Sequence, residues 1–317
     1  MSIGRRGAVA MGVTVAFFWG LSFLSIKTAV AVVPPNTLGL ARFVIATALL
    51  FAYFAVRRKR PRLVRRDLPL MALSGFVGVT LYFLTENNGV LCLTASESSI
   101  IIGTIPVLTV LADRVFLGAR LRPRQAAGAA LSTLGVALIV VESLRLSVDP
   151  LGYAFMAGSA VSWVAYAFLT KPLLDRYDGL EVTFWQSLFG GIGFIPFALA
   201  EKTELSAVGP VVMLNVLYLG VFCSALGYLM YVHCLDVLGA GVSSVFINLI
   251  PVVSVAASFA LLGERLTGVQ LAGGAAAVIG VWLASAAGKR ATGKSIRPES
   301  MPPGDFDHSS SETAKRD

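Results

Sequence analysis

Long apolar runs alternate with short polar interruptions along nearly the whole chain, on a period far longer than that of a strand or of an ordinary amphipathic helix. A helix needs about 20 apolar residues to cross a hydrocarbon layer of roughly 30 Å. Runs of that kind fall at 8–27, 36–56, 68–91, 97–117, 124–142, 150–170, 180–200, 210–234, 240–262 and 268–287. They predict an all-α membrane protein of ten transmembrane helices, since unbroken apolar runs are incompatible with the alternating pattern of a membrane barrel. The interruptions carry their own chemistry. Pro34-Pro35-Asn36 and Asp149-Pro150 are turn signals, and the stretch from Arg57 to Asp67 is too charged to enter lipid. From 288 to 317 the chain is polar, rich in Ser, Pro and mixed charge, and is expected to be a disordered tail.

Composition supports this picture and narrows it. Of 317 residues, 56% are apolar and 14% charged, so lipid must serve as solvent for much of the surface. The net charge of +8 would suit a polyanion, but Lys and Arg sit in blocks between apolar runs and form no continuous basic face, which argues against nucleic acid. Those blocks instead set the orientation. With both ends cytoplasmic, the inner loops hold the cluster from Arg57 to Arg66, Arg120, Arg122, Arg124, Lys171 and Arg176, whereas the outer loops hold only Arg145, Lys202 and Arg265. A multi-pass protein of the cell's inner (plasma) membrane is expected. The run after Arg5-Arg6 continues beyond signal-peptide length without a clear cleavage site and reads as a retained first helix. Cys92, Cys223 and Cys234 have no metal-type spacing and read as packing residues; no cofactor is implied.

The second half repeats the first at an offset of 144 to 145 residues. Ser98-Ser99 aligns with Ser243-Ser244, Pro106 with Pro251, Gly118 with Gly263, Gln125 with Gln270 and Gly135 with Gly280. Trp19 and Lys27 align with Trp163 and Lys171. The expected organisation is a first repeat over 1–144 and a second over 145–287. With five spans each, an odd number, the second must enter the membrane inverted. Inverted repeats place a substrate site near the bilayer midplane and allow alternating access by rocking of the halves.

The run from Ser243 through Pro251 to the segment LLGERLTGVQLAGGAAAVIGVWL resembles the EamA repeat of the drug/metabolite transporter superfamily. The first half departs from it slightly, with Gly118-Ala119-Arg120 where the second has Gly263-Glu264-Arg265. The resemblance covers about residues 8 to 287 and implies a ten-helix carrier without ATP hydrolysis. Members commonly export amino acids, related metabolites or drugs, and some import vitamins or other nutrients.

Candidate site residues follow from polarity at membrane depth. A charge within a span costs a few kcal/mol and tends to face a cavity or a partner. Arg42 and Glu86 lie at similar depth below the outer surface, which suits either an ion pair at an outer gate or recognition of a zwitterion. Trp19, Tyr82, Trp163, Tyr166 and Tyr228, with Glu86 and Asn248, form the expected substrate-binding set, since aromatic rings hold an ammonium or a ring. In the second half Arg42 corresponds to Gln186 and Glu86 to Tyr231, so the charged device is one-sided. Gating or structural roles are expected for Lys27, Arg42, Pro106, Pro251 and His233. The prolines would kink spans four and nine, and His233 is either an interfacial residue or a proton relay. Gly128, Gly135, Gly273, Gly274 and Gly280 suit close helix packing in spans five and ten.

These features favour a monomeric secondary transporter of a small polar metabolite in the lipid bilayer, exporting amino acids or related compounds, with proton coupling one option for its energy. An importer of a vitamin, nucleoside or other nutrient fits the same fold. A membrane enzyme would need a cluster of nucleophile, base or metal ligands at one depth, and the spans contain no such cluster. A channel would need a filter sequence, also absent.

Overall fold

The computed structural model describes residues 4–93, 98, 101–117, 123–143, 149–202, 208–262 and 267–286, all within one unit, Met1–Ala287. The expected tail and the repeat residues Ser99, Gly118 and Gly263 lie outside the described residues. Among those described, all regular structure is helical. In chain order the helices are α1 (Arg5–Val30), α2 (Pro35–Val56), α3 (Leu68–Cys92), α4 (Ile105–Leu117), α5 (Pro123–Ser143), α6 (Pro150–Leu174), α7 (Gly179–Leu199) and α8 (Pro210–Leu238). Next comes α9, which runs as Ala240–Val245, tightens into a 3-10 turn at Phe246–Asn248 and resumes as Leu249–Leu262. The last is α10 (Gly268–Ala286).

The turn signals act where the sequence places them. Pro35 and Pro150 occupy first-turn positions, where a missing N–H costs nothing. Asp149 accepts hydrogen bonds from the amides of Leu151 (3.0 Å) and Gly152 (3.2 Å), starting α6. A capping box of Asp178 and Glu181 starts α7. At Gly239 the backbone turns through φ of 82° between α8 and α9, a conformation that a side chain would strain.

Six helices, α1, α2, α3, α6, α7 and α8, are individually long and apolar enough to cross a membrane, and shorter apolar helices cover Ala240–Ser254 and Leu271–Ala284. Large apolar side chains such as Phe17, Phe51, Leu134, Val161 and Trp282 point outward, as lipid as solvent requires. α5 and α10 meet backbone to backbone. A Cβ on Gly128 would lie 2.5 Å from the amide nitrogen of Ala284, and one on Gly280 would lie 2.4 Å from that of Ser132. Gly135 is equally tight against Ala277, whereas Gly274 has room for a side chain, so four of the five expected glycines do the packing, Gly273 through its carbonyl against Gly135.

The apolar pattern gives no sign of two widened helical turns. α3 is a π-helix over Phe76–Leu81 and α8 over Leu219–Leu226. Their positions correspond under the same offset that relates the halves of the sequence. A π segment leaves the regular i→i+4 ladder and frees carbonyls, which inside a membrane must find other donors.

Those donors come from neighbouring helices. Ser162 Oγ donates to Val77 O (2.6 Å) and Tyr228 OH to Gly78 O (2.7 Å), while Trp19 Nε1 donates to Cys223 O (3.0 Å). The bundle core is thus stitched through the two wide turns, and the stitching fixes the aromatic rings that surround the site.

Both ends of the bundle are tied between α2 or the α2–α3 loop and α7 or its flanking turns. At one end the Glu201 carboxylate accepts from Asn36 N (3.0 Å), Asn36 Nδ2 (2.8 Å), Thr37 N (2.7 Å) and Thr37 Oγ1 (2.9 Å), satisfying the exposed amides that begin α2. At the other end Asp67 pairs with Arg176 and accepts from Tyr177 OH (2.8 Å). There Glu181 also accepts from Arg62 N (3.0 Å), and Trp185 Nε1 donates to Arg62 O (2.9 Å).

Candidate functional site

α1, α2, α3, α6 and α8 converge on a small internal cavity of about 20 Å³, room for a single water. Trp163 of α6 lines it and is 2% exposed. Its ring centroid is 5.2 Å from Trp19 at a near-perpendicular 89°, 4.8 Å from Tyr82, 4.9 Å from Tyr231 and 5.7 Å from Tyr228. Spacings and tilts of this kind are the favourable edge-to-face and tilted arrangements of aromatic pairs. The polar tips are used as well, with Trp163 Nε1 donating to Tyr231 OH (3.1 Å).

Two opposite charges line the same cavity. Glu86, 5% exposed, accepts from Tyr82 OH at 2.7 Å; the two stand four residues apart on one face of α3. Arg42, 1% exposed, donates from Nε to Ser224 Oγ at 3.2 Å, and its guanidinium carbon lies 4.2 Å from the centroid of the Phe83 ring. That stacking supplies cation–π attraction in place of water. Arg42 Nη1 is buried with no hydrogen-bond partner. Among the described residues no ion pair joins Arg42 to Glu86; the one within 4.0 Å is Asp67–Arg176, at the bundle's end. The charges are therefore brought together around one space without being neutralised by direct contact.

Of the residues singled out in the sequence, Trp19, Arg42, Tyr82, Glu86, Trp163 and Tyr228 line this cavity. Others go elsewhere. Tyr166 stands behind Trp163, 5.4 Å between centroids, and donates to Gln186 Oε1 (3.1 Å). Asn248 faces α5: its Nδ2 bonds Ser132 and, at 3.3 Å, Thr133, while its Oδ1 is buried without a partner. Lys27 Nζ reaches the carbonyls of Val90 (2.9 Å) and Leu93 (3.1 Å), so its charge caps the C-terminal end of α3 and fastens α1 to it. His233 is partly buried in α8 and is not part of the cavity wall.

Pro106 is buried at the second position of α4, after a turn at Gly103–Thr104, and Pro251 is buried at the third position after the 3-10 turn of α9. Pro106 thus follows a turn that interrupts the helical run, and Pro251 follows the 3-10 tightening inside α9.

Phe83, Ser22, Ser224, Ile102 and Ile250 were not anticipated. Phe83, Ser22, Ile102 and Ile250 complete the wall together with Phe23 of α1, and Ser224 orients Arg42. Phe83 had a usable signal, since it precedes Glu86 by three and shares its helical face. Ser224 had none, because it meets Arg42 across 182 residues of chain.

A bundle of long apolar helices with apolar side chains turned outward and a small polar, aromatic-lined cavity within is a multi-pass membrane protein. The EamA-like transporter family matches the chain twice, over residues 6–141 and 150–286, and the chain belongs to that family. It is 32% identical to a probable terminal-alkyne amino-acid exporter of Streptantibioticus cattleyicolor, over 90% of this chain and 94% of that one. It is 27% identical to a probable amino-acid metabolite efflux pump of Escherichia coli strain K12, over 88% and 94%. An uncharacterized transporter of Archaeoglobus fulgidus is 30% identical, over 87% and 97%. A solved crystal structure superposes with a TM-score of 0.74 at 21% identity, covering 90% of this chain and all of that one, and so shares the fold. Family and relatives point to a transporter and away from an enzyme.

Proposed function

We propose that the protein is a secondary carrier of the inner membrane that exports amino acids or closely related compounds by alternating access. In this reading the helices α1–α5 and α6–α10 are two inverted five-span repeats over 1–144 and 145–287, with both chain ends in the cytoplasm. The double family match and the wide turns at corresponding places in α3 and α8 support that division. The observation that carries the functional reading is the cavity. It combines a carboxylate, a guanidinium and six aromatic rings, the chemistry that a compound with an ammonium, a carboxylate and an apolar side chain requires. Relatives named as amino-acid exporters support the same class.

With space for one water, the rings must part before a solute of amino-acid size is admitted, and in this reading the arrangement is a closed state of the cycle. The ties at Glu201 and at Asp67–Arg176 hold the two ends of the bundle shut in that state.

Counterflow in proteoliposomes tests the proposal. Purified protein preloaded with one of the twenty amino acids should accumulate the same labelled compound transiently, as carriers do. If no amino acid gives accumulation, the export reading is wrong. Labelling of single cysteines introduced in the Arg57–Arg66 loop and at Gly268 should place them on opposite sides of the bilayer; the same side would refute the inverted repeat.

A further inference from the structure

We infer that Arg42 and Glu86 are the two ends of a zwitterion receptor: Arg42 takes the substrate's carboxylate, and the Tyr82–Glu86 pair takes its ammonium. The inference rests on the carrier reading above and assigns the site that reading leaves general. Three observations lead to it. Arg42, which lines the cavity, is oriented by Ser224 at Nε and by Phe83 beneath the guanidinium, and its Nη1 is buried and unpartnered. Glu86 receives one hydroxyl, from Tyr82, and no cation among the described residues. Both line one cavity of nearly balanced charge.

A buried charge held without its counterion is costly, and a structural ion pair would have closed the gap to hydrogen-bonding distance. The gap is instead what a compound carrying both charges fills. Bridging by a zwitterion satisfies Nη1 and the carboxylate together and adds no net charge at membrane depth, whereas a lone anion or cation would leave one protein charge uncompensated.

The position matched to Arg42 by the sequence repeat shows how a structural residue behaves there. Gln186 is fully buried and bonded at every group, with Nε2 donating to Ser74 Oγ and Thr170 Oγ1, both 2.9 Å, and Oε1 accepting from Tyr166. Arg42 is held but not used up.

The test is competition against counterflow of whichever amino acid exchanges fastest. The competitors are that amino acid, its methyl ester, which keeps the ammonium and lacks the carboxylate, and its N-acetyl derivative, which is the reverse. Wild-type protein should prefer the free amino acid to either derivative by about tenfold or more, the worth of a charge-assisted hydrogen bond. In Arg42→Gln the preference over the ester should shrink to about twofold or less while the preference over the N-acetyl compound persists, and Glu86→Gln should show the mirror image. If Arg42→Gln does not fold, Arg42→Lys keeps the charge and should still discriminate against the ester.

Equal competition by all three compounds in the wild type, or an even loss of all three in the variants, overturns the assignment while leaving amino-acid transport standing. An absence of exchange with every amino acid brings down the carrier reading and this assignment together.

Discussion

Arg42 on α2 and Gln186 on α7 occupy matching places in the two halves of the sequence, and both are almost wholly buried. Gln186 is a finished piece of structure, its amide tying α7 to Ser74 on α3 and to Thr170 and Tyr166 on α6. Arg42 keeps one guanidinium nitrogen without a partner. The same contrast holds for the pair matched to it, since Tyr231 accepts from Trp163 Nε1 while Glu86 accepts from Tyr82 and pairs with no cation among the described residues. Repeat-related positions are thus packing hubs in one half and, in the other, buried charges with no ion-pair partner among the described residues. A duplicated scaffold can keep a neutral, satisfied copy for stability and spend the other on recognition, because the cost of an unsatisfied buried charge need be met on one side only.

The contrast can be broken most violently by moving the charge to the wrong side. Gln186→Arg would bury a guanidinium among Ser74, Thr170 and Tyr166 with no cavity beside it, at a cost of several kcal/mol. Little monodisperse protein should survive detergent extraction, as size-exclusion chromatography would show; normal yield and melting temperature would mean that Gln186 is not a filled site. Gln186→Leu is next. It removes the acceptor of Tyr166 and the donor to Ser74 and Thr170 and should lower stability by about 2 kcal/mol, read as a drop in melting temperature.

Arg42→Met sharpens the other side of the comparison. It removes a buried charge that has no ion-pair partner among the described residues, so the melting temperature should hold or rise, while counterflow falls by about tenfold or more. A marked loss of stability with transport preserved would reverse the roles given to the two positions. The smallest effect is expected from Tyr82→Phe. It removes the hydroxyl that holds Glu86 at 2.7 Å, and uptake should weaken by roughly threefold to tenfold, a loss of about 1 kcal/mol, with little change in folding.

The aromatic residues show how far a linear reading reaches. Trp19, Tyr82, Trp163 and Tyr228 were visible as polar-tipped rings at depth within apolar runs, and they do surround the cavity. Asn248 had the same visible credentials and instead secures α9 to α5. Lys27, expected in a gating or structural role, caps a helix end. Nothing in the spacing of these residues separates the two outcomes.

What the chain dictates by itself is everything local. Apolar run length sets where helices lie, and the predicted spans agree with the observed helices to within a few residues; in the fourth span helical residues at 98 and 101–102 precede a turn at Gly103–Thr104 and the helix from Ile105. Asp149-Pro150, Pro34-Pro35 and Asp178 set where helices begin, since caps and fixed φ values act on their own few residues.

The tertiary structure alone decides which way each helix is turned and hence which groups meet. Helices apolar on nearly every face carry no clear stripe to announce their inward side. Packing of glycines such as Gly128 against Gly280, and the carbonyls released by the wide turns of α3 and α8, choose the rotation. Only then do Arg42 and Ser224, or Trp19 and Cys223, come within a hydrogen bond of each other across about two hundred residues of chain.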